Sequence, residues 1–443
     1  MGGGMATQGG HQMQGKLARS VALGAIIGSL HVAAQAQEVE FWTQPYGDLI
    51  AWKQSIEALA DEFEAESGIT VNYEPINWSV AFRRWLTVAQ GGPAPDCADM
   101  FFLHSFSAIG GTEHGPLPLN EYRDSTWPAL DTDFFTGSLQ DVTWSGDFYG
   151  IPWRGDVRPM MYRTDHFEVA GLTAPPDTWD ELVEHAKKLT LRDENGNVTQ
   201  WGFGLGNNNI GQSFPPLYWQ AGGEMMTEDG RTATIDNEAM RTALQFLKDL
   251  VWTHEVLDPD FMEKGNDTGE AFLAGKVSIV GSVPGGWPSN WTVEYPELND
   301  KWALAVPAAG PEGRDAYSGS GYFGVLRGSE NVESCVKWIE FLSREENMQV
   351  LSEASGNVSP HRGVMNSEFW SDTEWKSVLT ESLEFSHTSQ HPSPVWNALA
   401  ADEAGAVIYD MVYDVVIRQA DMDETIKRAE ERMQAEMDRA FNK

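Results

Sequence analysis

The sequence contains very little cysteine. Cys97 and Cys335 are the only two cysteines among 443 residues, which is too few for a disulfide framework or a cysteine-based zinc site. If the chain is exported, one bridge between them is possible, but a bridge requires close Cα positions. Because the two cysteines are far apart along the chain, the sequence favours two buried thiols over a disulfide.

Basic residues are also scarce. Lysine and arginine total 30, against 66 aspartate and glutamate residues, which gives a net charge of −36. A nucleic acid or an anionic membrane would be repelled by such a charge. The acidic residues are spread along the chain, a distribution typical of a well-solvated surface. The composition therefore argues against nucleic acid and membrane lipid as partners.

Motifs for covalent chemistry are missing as well. The chain has no nucleophile elbow, no His-x-x-Glu metal pattern and no glycine-rich phosphate loop. Its 10 histidines lack the spacing of metal ligands. We therefore predict a protein that is not an enzyme, with no catalytic residue, metal or cofactor. A secreted glycoside hydrolase stays an alternative, because an acidic, tryptophan-rich chain can supply the paired carboxylates of that chemistry.

One apolar run stands out, and it lies near the N-terminus. Lys16 and Arg19 precede the apolar residues 21–30, and Ala34 and Ala36 follow with the small-x-small spacing of a cleavage site. The run is too short to cross a bilayer, and no other segment is long and apolar enough to do so. We interpret residues 1–36 as a signal peptide with a leader, and we expect an exported, soluble, periplasmic protein.

Strand and helix patterns alternate along the rest of the chain. Residues 39–42 alternate as a strand, residues 50–66 carry apolar side chains at helical spacing, and residues 69–73 resume a strand. That order predicts a β-α-β unit and a parallel sheet. Thr178, with Glu181 three residues later, predicts a capping box at the start of another helix. The length predicts two or three domain-sized units.

Glycine, proline and aromatic residues are concentrated at 146–153. Glycine lets two chains pass closely, Pro152 restricts one φ angle, and the interleaved aromatic side chains favour either a core or a flat apolar ligand. We interpret this run as a hinge beside a binding cleft. The alternative is a hairpin with buried aromatic residues.

Several short motifs, each at one place in the sequence, are spread in a distinctive order over nearly the whole mature chain. They are Phe41-Trp42, Gly92-Pro93-Ala94-Pro95-Asp96, Tyr149-Gly150-Ile151-Pro152, Met161-Tyr162, Pro176-Asp177-Thr178-Trp179-Asp180-Glu181-Leu182, Phe272-Leu273-Ala274-Gly275-Lys276-Val277, Gly285-Gly286-Trp287, Trp338-Ile339-Glu340-Phe341-Leu342-Ser343 and Gly356-Asn357-Val358-Ser359-Pro360. Their order and spacing resemble the extracellular solute-binding proteins of sugar ABC transporters, the family that includes maltose-binding protein.

The resemblance implies an α/β fold of the type II periplasmic-binding-protein class. Two lobes would be joined by three hinge crossings, with the ligand cleft between the lobes. We expect the N-terminal lobe at residues 38–150 and 308–362, and the C-terminal lobe at residues 151–307 and 363–443. The chain departs from the family at Cys97-Ala98-Asp99, where the family usually continues Pro-Asp with an apolar β-branched pair. Asp99 therefore either points into the mouth of the cleft or marks a shifted strand.

A sugar site needs flat aromatic surfaces for the C–H faces of the ring and polar side chains for the hydroxyl groups. Strand ends, hinge positions and the family resemblance together select the candidates. The predicted ligand-binding residues are Trp42, Trp78, Phe102, His104, Trp153, Asp156, Arg158, Trp287, Tyr322, Arg362 and Trp396.

The resemblance implies a binding protein that closes on a mono- or oligosaccharide and delivers it, as a monomer, to the membrane permease of an ABC importer. Core packing is the alternative for each aromatic candidate. Arg158 and Arg362 would contact hydroxyl groups, or form hinge salt bridges with neighbouring acids, or signal a charged solute such as a glycerol phosphate or a uronate. A polyamine or a metal ion is the remaining alternative for the same fold.

Overall fold

A computed structural model describes residues 37–47, 49–101, 113–144, 146–206, 210–227, 229–263, 265–388, 398–399 and 405–441. Its strands are β1 Gln37–Thr43, β2 Ile69–Pro75, β3 Cys97–Phe101, β4 Thr143–Trp144, β5 Asp147–Phe148, β6 Ile151–Gly155, β7 Met160–Arg163, β8 Leu191–Arg192, β9 Val198–Gly204, β10 Val277–Val280, β11 Trp302–Ala305, β12 Ala316–Ser318, β13 Ser320–Val325 and β14 Ser386–Thr388.

Helices cover most of the remaining described chain. The α-helices are Leu49–Ser67, Trp78–Ala89, Asn120–Thr126, Leu130–Asp133, Thr136–Asp141, Thr164–Ala170, Trp179–Leu189, Ile210–Ser213, Pro215–Gln220, Glu238–Trp252, Thr268–Leu273, Trp287–Glu294, Val332–Leu342, Glu345–Ser355, Arg362–Met365, Glu374–Ser382, Val407–Val412 and Met422–Phe441. Short 3-10 turns lie at Pro296–Leu298, Glu368–Trp370 and Leu383–Phe385, and a π-helical turn lies at Tyr413–Ile417. Across these described ranges, every helix falls short of the length or the apolar character that a membrane crossing requires.

The first sheet has the strand order β2-β1-β3-β13-β6. β1 runs parallel to β2 and β3, and β13 runs antiparallel to β3 and β6. The helix Leu49–Ser67 connects β1 to β2 and buries Trp52, Ile56, Leu59 and Phe63, because those side chains recur at helical spacing. The predicted β-α-β unit is confirmed.

The second sheet has the strand order β11-β7-β10-β9-β8. The predicted cap lies between β7 and β8 of this sheet. The Glu181 N–H bonds to Oγ1 of Thr178 at 3.3 Å, and the Glu181 carboxylate accepts the N–H of Asp177, one residue before Thr178, at 2.8 Å. The C-terminal helices share one apolar core with this sheet, in which Ile426 and Met433 join Phe203 and Ile279. Two separate sheets covered by helices confirm the predicted two-lobed α/β fold.

The chain passes between the two sheets at three places in the described residues. It leaves the first sheet after β6 and enters the second at β7, returns between β11 and β13, and crosses again before the helix Glu374–Ser382, which packs on β11. β12 and β14 pair with each other at the crossings. The lobe boundary at residue 150 stays a prediction, and β6, which follows it directly, pairs with the first sheet.

Cys97 and Cys335 form a disulfide bond, with their Cα atoms 5.9 Å apart. The expectation of two buried thiols is wrong. Cys97 begins β3, and Cys335 lies on the helix Val332–Leu342, which packs against the same sheet. A separation of 238 residues along the chain conceals this proximity, because distance in sequence does not limit distance in a folded core.

The start of the glycine- and aromatic-rich run at 146–153 matches the hairpin considered as the alternative, whereas the hinge beside a cleft stays a prediction. β4 and β5 form a short antiparallel hairpin, and Phe148, Tyr149 and Trp153 are buried. Gly150 has a φ of 159°, and a Cβ there would lie 2.1 Å from the carbonyl oxygen of Phe323. Glycine is therefore needed at this position because β13 passes too close for a side chain.

Candidate functional site

The candidate site lies where loops of the two lobes approach each other. In the first lobe, residues 44–47 follow β1 and residues 76–78 follow β2, both at the carboxyl ends of parallel strands. Ligands of open α/β sheets bind at this edge. In the second lobe, residues 284–289 reach the crossing, where the Gly285 N–H bonds to Oδ1 of Asp156 at 3.1 Å. We call these segments, with the crossing 156–158, the interlobe site.

Trp78 presents a fixed and accessible aromatic surface at this site. Its side chain is 37% exposed, and its indole N–H donates to the carbonyl oxygen of Pro45 at 2.8 Å. Its ring meets Tyr46 edge to face at a centroid distance of 5.3 Å. A large apolar ring that is both exposed and held in one orientation suits stacking on a flat ligand.

Gln44 is a residue that the sequence analysis missed. It follows β1 directly and is only 1% exposed, and among the described residues neither its Nε2 nor its Oε1 has a hydrogen-bond partner. A buried amide without partners costs about 1–3 kcal/mol for each unsatisfied group. Its place two residues after Trp42, at the carboxyl end of the first strand, was the signal that could have identified it.

Three predicted residues, Trp42, Trp153 and Tyr322, pack in the core of the first lobe, at exposures of 4%, 1% and 0%. The guanidinium of Arg84 lies 4.3 Å from the ring centre of Trp42. Trp153 is stacked on Phe323, 5.3 Å away and 7° from parallel. These three side chains offer no open ring face. These three side chains therefore have the core packing that we considered as the alternative, and their role in ligand binding stays a prediction.

Trp287 is half-buried and begins the helix Trp287–Glu294. Its ring is stacked on Trp291, at a centroid distance of 4.6 Å and an angle of 24°. It lies two residues after Gly285 and so belongs to the second-lobe side of the interlobe site. The predicted residues Phe102, His104 and Trp396 lie outside the described residues.

Asp156 and Arg158 form an ion pair at the first crossing. Nη2 of Arg158 lies 2.9 Å from Oδ2 of Asp156, and the guanidinium lies 4.9 Å from the ring centre of Tyr317. Burial by itself raises the pKa of the Asp156 carboxyl, but Arg158, Arg154 and the Gly285 N–H together lower that pKa below its ordinary value. The hinge salt bridge considered for Arg158 is therefore present.

Arg362 has different partners. Its side chain is exposed, its Nε donates to the carbonyl oxygen of Phe134 at 3.2 Å, and its guanidinium lies 4.4 Å from the ring centre of Phe135. These contacts tie Arg362 to a backbone carbonyl and an aromatic ring of the first lobe. A salt bridge with a neighbouring acid, which we considered for this residue, does not appear among its described contacts.

Asp99 neither points into a cleft mouth nor marks a shifted strand. β3 pairs in continuous register with β13, Phe323 opposite Asp99, and the carboxylate is completely buried. It accepts hydrogen bonds from the Tyr46 hydroxyl at 2.6 Å and from the Trp153 indole at 2.8 Å. Burial raises the pKa of Asp99, and Arg154 and the two hydrogen bonds oppose the rise.

The arrangement suits recognition of a polar, uncharged molecule. It combines the indole face of Trp78, the unsatisfied amide of Gln44 and charges that are already paired within the protein. Within the described ranges, no three histidine, cysteine or carboxylate side chains are grouped so that they could hold a metal ion.

Comparison with known proteins gives a consistent set of relatives. Residues 46–349 match the family described as bacterial extracellular solute-binding protein. A putative binding protein of Brucella abortus is 28% identical over 302 residues, which cover 66% of this chain and 68% of the relative. The lactose-binding protein of Rhizobium radiobacter is 29% identical over 207 residues, which cover 45% of this chain and 46% of the relative. The solved structure of the sugar-binding protein MalE from Xanthomonas citri shares the fold, with a TM-score of 0.77, 18% identity and coverage of 91% of this chain and 98% of that one.

Proposed function

Because the chain belongs to the family of bacterial extracellular solute-binding proteins, we propose that it binds an uncharged mono- or oligosaccharide between its lobes and delivers it to the permease of an ABC importer. The protein acts as a monomer in the periplasm and leaves its ligand chemically unchanged. The lactose-binding relative supports a carbohydrate ligand.

The observation that carries the proposal is the accessible, anchored indole of Trp78. A sugar ring stacks its C–H face on such a surface, and its hydroxyl groups both donate and accept hydrogen bonds. The amide of Gln44 likewise has one donor group and one acceptor oxygen that lack partners in the described structure. Gln44 is 1% exposed, so a hydroxylated ligand reaches this amide only when the lobes move apart, and it then relieves the cost of burying the amide.

The charges at the crossing favour an uncharged ligand over a phosphate or a uronate. An anion site requires arginine N–H groups that are free to bind the ligand. Arg158 is 5% exposed and donates through both Nε and Nη2 to Oδ2 of Asp156. Its charge is therefore balanced within the protein.

Ligand binding would stabilise the closed arrangement of the lobes. Trp78 belongs to the first lobe and Trp287 to the second, and the loop that carries Trp287 already contacts the crossing through Gly285 and Asp156. A ligand that touches both aromatic residues gains contacts only when the lobes close, and it thereby shifts the equilibrium toward the closed state. The permease would then recognise that state.

Titration calorimetry of the mature protein with lactose, maltotriose and arabinotriose tests the proposal, with glucuronate and glycerol 3-phosphate as charged comparators. We expect heat from at least one neutral sugar and none from the charged compounds. The absence of a response to every neutral sugar, or turnover of one of them, would refute the proposal.

Trp78→Ala, compared with a matched control, tests the site itself. We expect a roughly tenfold loss of affinity for the sugar that binds, because an aromatic stacking contact is worth about 1 kcal/mol in addition to the buried area. Trp252→Ala is the control, since Trp252 is 42% exposed and its indole N–H also bonds to a backbone carbonyl, that of Val416. Equal losses in both variants would show that Trp78 is not part of the site.

A further inference from the structure

Arg154 occupies a central position that the proposed function does not explain. It lies on β6, the edge strand of the first sheet that leads into the first crossing, and is 4% exposed. Its guanidinium lies 4.4 Å from the ring centre of Tyr46. A buried guanidinium is costly unless carboxylates and hydrogen bonds compensate its charge.

On one side Arg154 faces the first lobe through Asp99. A Cβ at Gly321 would lie 2.9 Å from Nε of Arg154 and 3.1 Å from Oδ1 of Asp99, so both side chains use the space that this glycine leaves open. The Asp99 carboxylate in turn accepts hydrogen bonds from the hydroxyl of Tyr46 and from the indole N–H of Trp153. Tyr46 supports Trp78, the exposed ring of the first lobe.

On the other side Arg154 faces the second lobe through Asp156. Asp156 continues the pairing of β6 with the neighbouring chain, because its N–H bonds to the carbonyl oxygen of Gly319 at 2.7 Å and its carbonyl oxygen accepts the Gly319 N–H at 3.3 Å. Arg154 and Asp156 are therefore two positions apart in extended backbone, so their side chains project to the same side. The charge of Arg154 contributes to the low pKa of the Asp156 carboxyl. The Asp156 carboxylate accepts a hydrogen bond from the N–H of Gly285, which lies in the loop that leads to Trp287.

We propose that Arg154 is a positioning residue that couples the two halves of the interlobe site. On one side of its guanidinium is Asp99, whose carboxylate orients the Tyr46–Trp153 pair. On the other side is Asp156, whose carboxylate orients the Gly285–Trp287 loop. The identification of these halves as a binding site rests on the proposed function. The coupling itself is a property of the ligand-free protein. Arg154, Asp156 and Arg158 alternate in charge along the segment that leads into the crossing, and Asp99 of β3 shares the space beside Gly321 with Arg154.

The test is fluorine NMR of the ligand-free mature protein labelled with 5-fluorotryptophan. The signals of Trp153 and Trp287 are assigned by replacing each residue with phenylalanine. In Arg154→Met we expect both signals to shift. The signal of Trp287 is the one that tests the coupling, because Trp153 is the chain neighbour of Arg154 whereas Trp287 is far from it in sequence. Asp156→Asn shifts the Trp287 signal in the same direction. Arg154→Lys, which keeps the positive charge, gives a smaller shift of Trp287 than Arg154→Met.

Arg344→Met is the matched control, because Arg344 also has two carboxylate partners, Glu66 and Glu340, but lies away from the site. It should leave the Trp287 signal at the wild-type position. If Arg154→Met is poorly folded, the double variant Asp99→Asn with Arg154→Met removes the unpaired charge, and it should regain thermal stability while Trp287 stays shifted.

A wild-type Trp287 signal in Arg154→Met, or an equal shift in Arg344→Met, would overturn the coupling. Neither result depends on a sugar. Lactose titration of the wild-type protein under the same conditions reports separately on the proposed function.

Discussion

The pH dependence of stability should reveal the ion pairs of His387, which lies on β14 at the crossings. Its Nδ1 lies 2.9 Å from Oδ1 of Asp315, and its Nε2 lies 3.1 Å from Oε1 of Glu224. Its ring is stacked on Trp219, at a centroid distance of 4.2 Å and an angle of 1°. Burial alone lowers the pKa of the imidazole, but the two carboxylates outweigh that effect and raise the pKa to about 9.

The magnitude follows from the difference between the folded and unfolded pKa of His387. The ordinary value is 6.5 and the folded value is about 9; at about 1.4 kcal/mol per pKa unit, the protonated imidazole stabilises the folded state by about 3 kcal/mol. Because the folded pKa is the higher one, this contribution is fully present below pH 6.5. It declines above that pH and is lost as the pH rises through 9.

Urea unfolding at pH 6, 7.5 and 9.5, on the wild type and on His387→Asn, measures this contribution. We expect the stability difference between the two proteins to be about 3 kcal/mol at pH 6 and to shrink by pH 9.5, where the histidine is neutral. Asn retains a donor group but carries no charge. A stability difference that stays constant over this pH range would refute the assignment of a charged imidazole between Asp315 and Glu224.

Three further predictions concern the first lobe. Gln44→Leu should raise the free energy of unfolding of the ligand-free protein by about 1 kcal/mol, because it removes unsatisfied buried groups, while sugar affinity falls; urea unfolding with calorimetry checks both, and a loss of stability would contradict it. Replacing both Cys97 and Cys335 with alanine should lower the free energy of unfolding by about 2–5 kcal/mol, as measured by urea unfolding. Intact-mass analysis that detects two free thiols in the wild-type protein would contradict the disulfide bond. Gly321→Ala should displace Arg154 and lower the melting temperature, as calorimetry would show; an unchanged melting temperature would mean that the space beside Asp99 is not filled.

Much of the candidate site could be located from the sequence, but the roles of its residues could not. Trp78 and Asp156 were identified because they follow a predicted strand and a predicted hinge, and both lie at the interlobe site. Trp42 and Trp153 were selected by the same rule, yet both are buried in the first lobe. A position near a strand end does not decide on which face of the sheet a ring packs, or what covers it.

The β-α-β unit at the start of the mature chain and the capping box at Thr178 were determined by the sequence alone, because the spacing of apolar and capping residues acts over a few neighbouring positions. The order of the motifs likewise indicated a two-lobed fold. Only the tertiary structure decided that Cys97 meets Cys335 and that the side chains of Arg154 and Asp99 share the space left open at Gly321. Such contacts join residues that are remote in the chain, and they depend on which strands become neighbours and how closely their side chains pack.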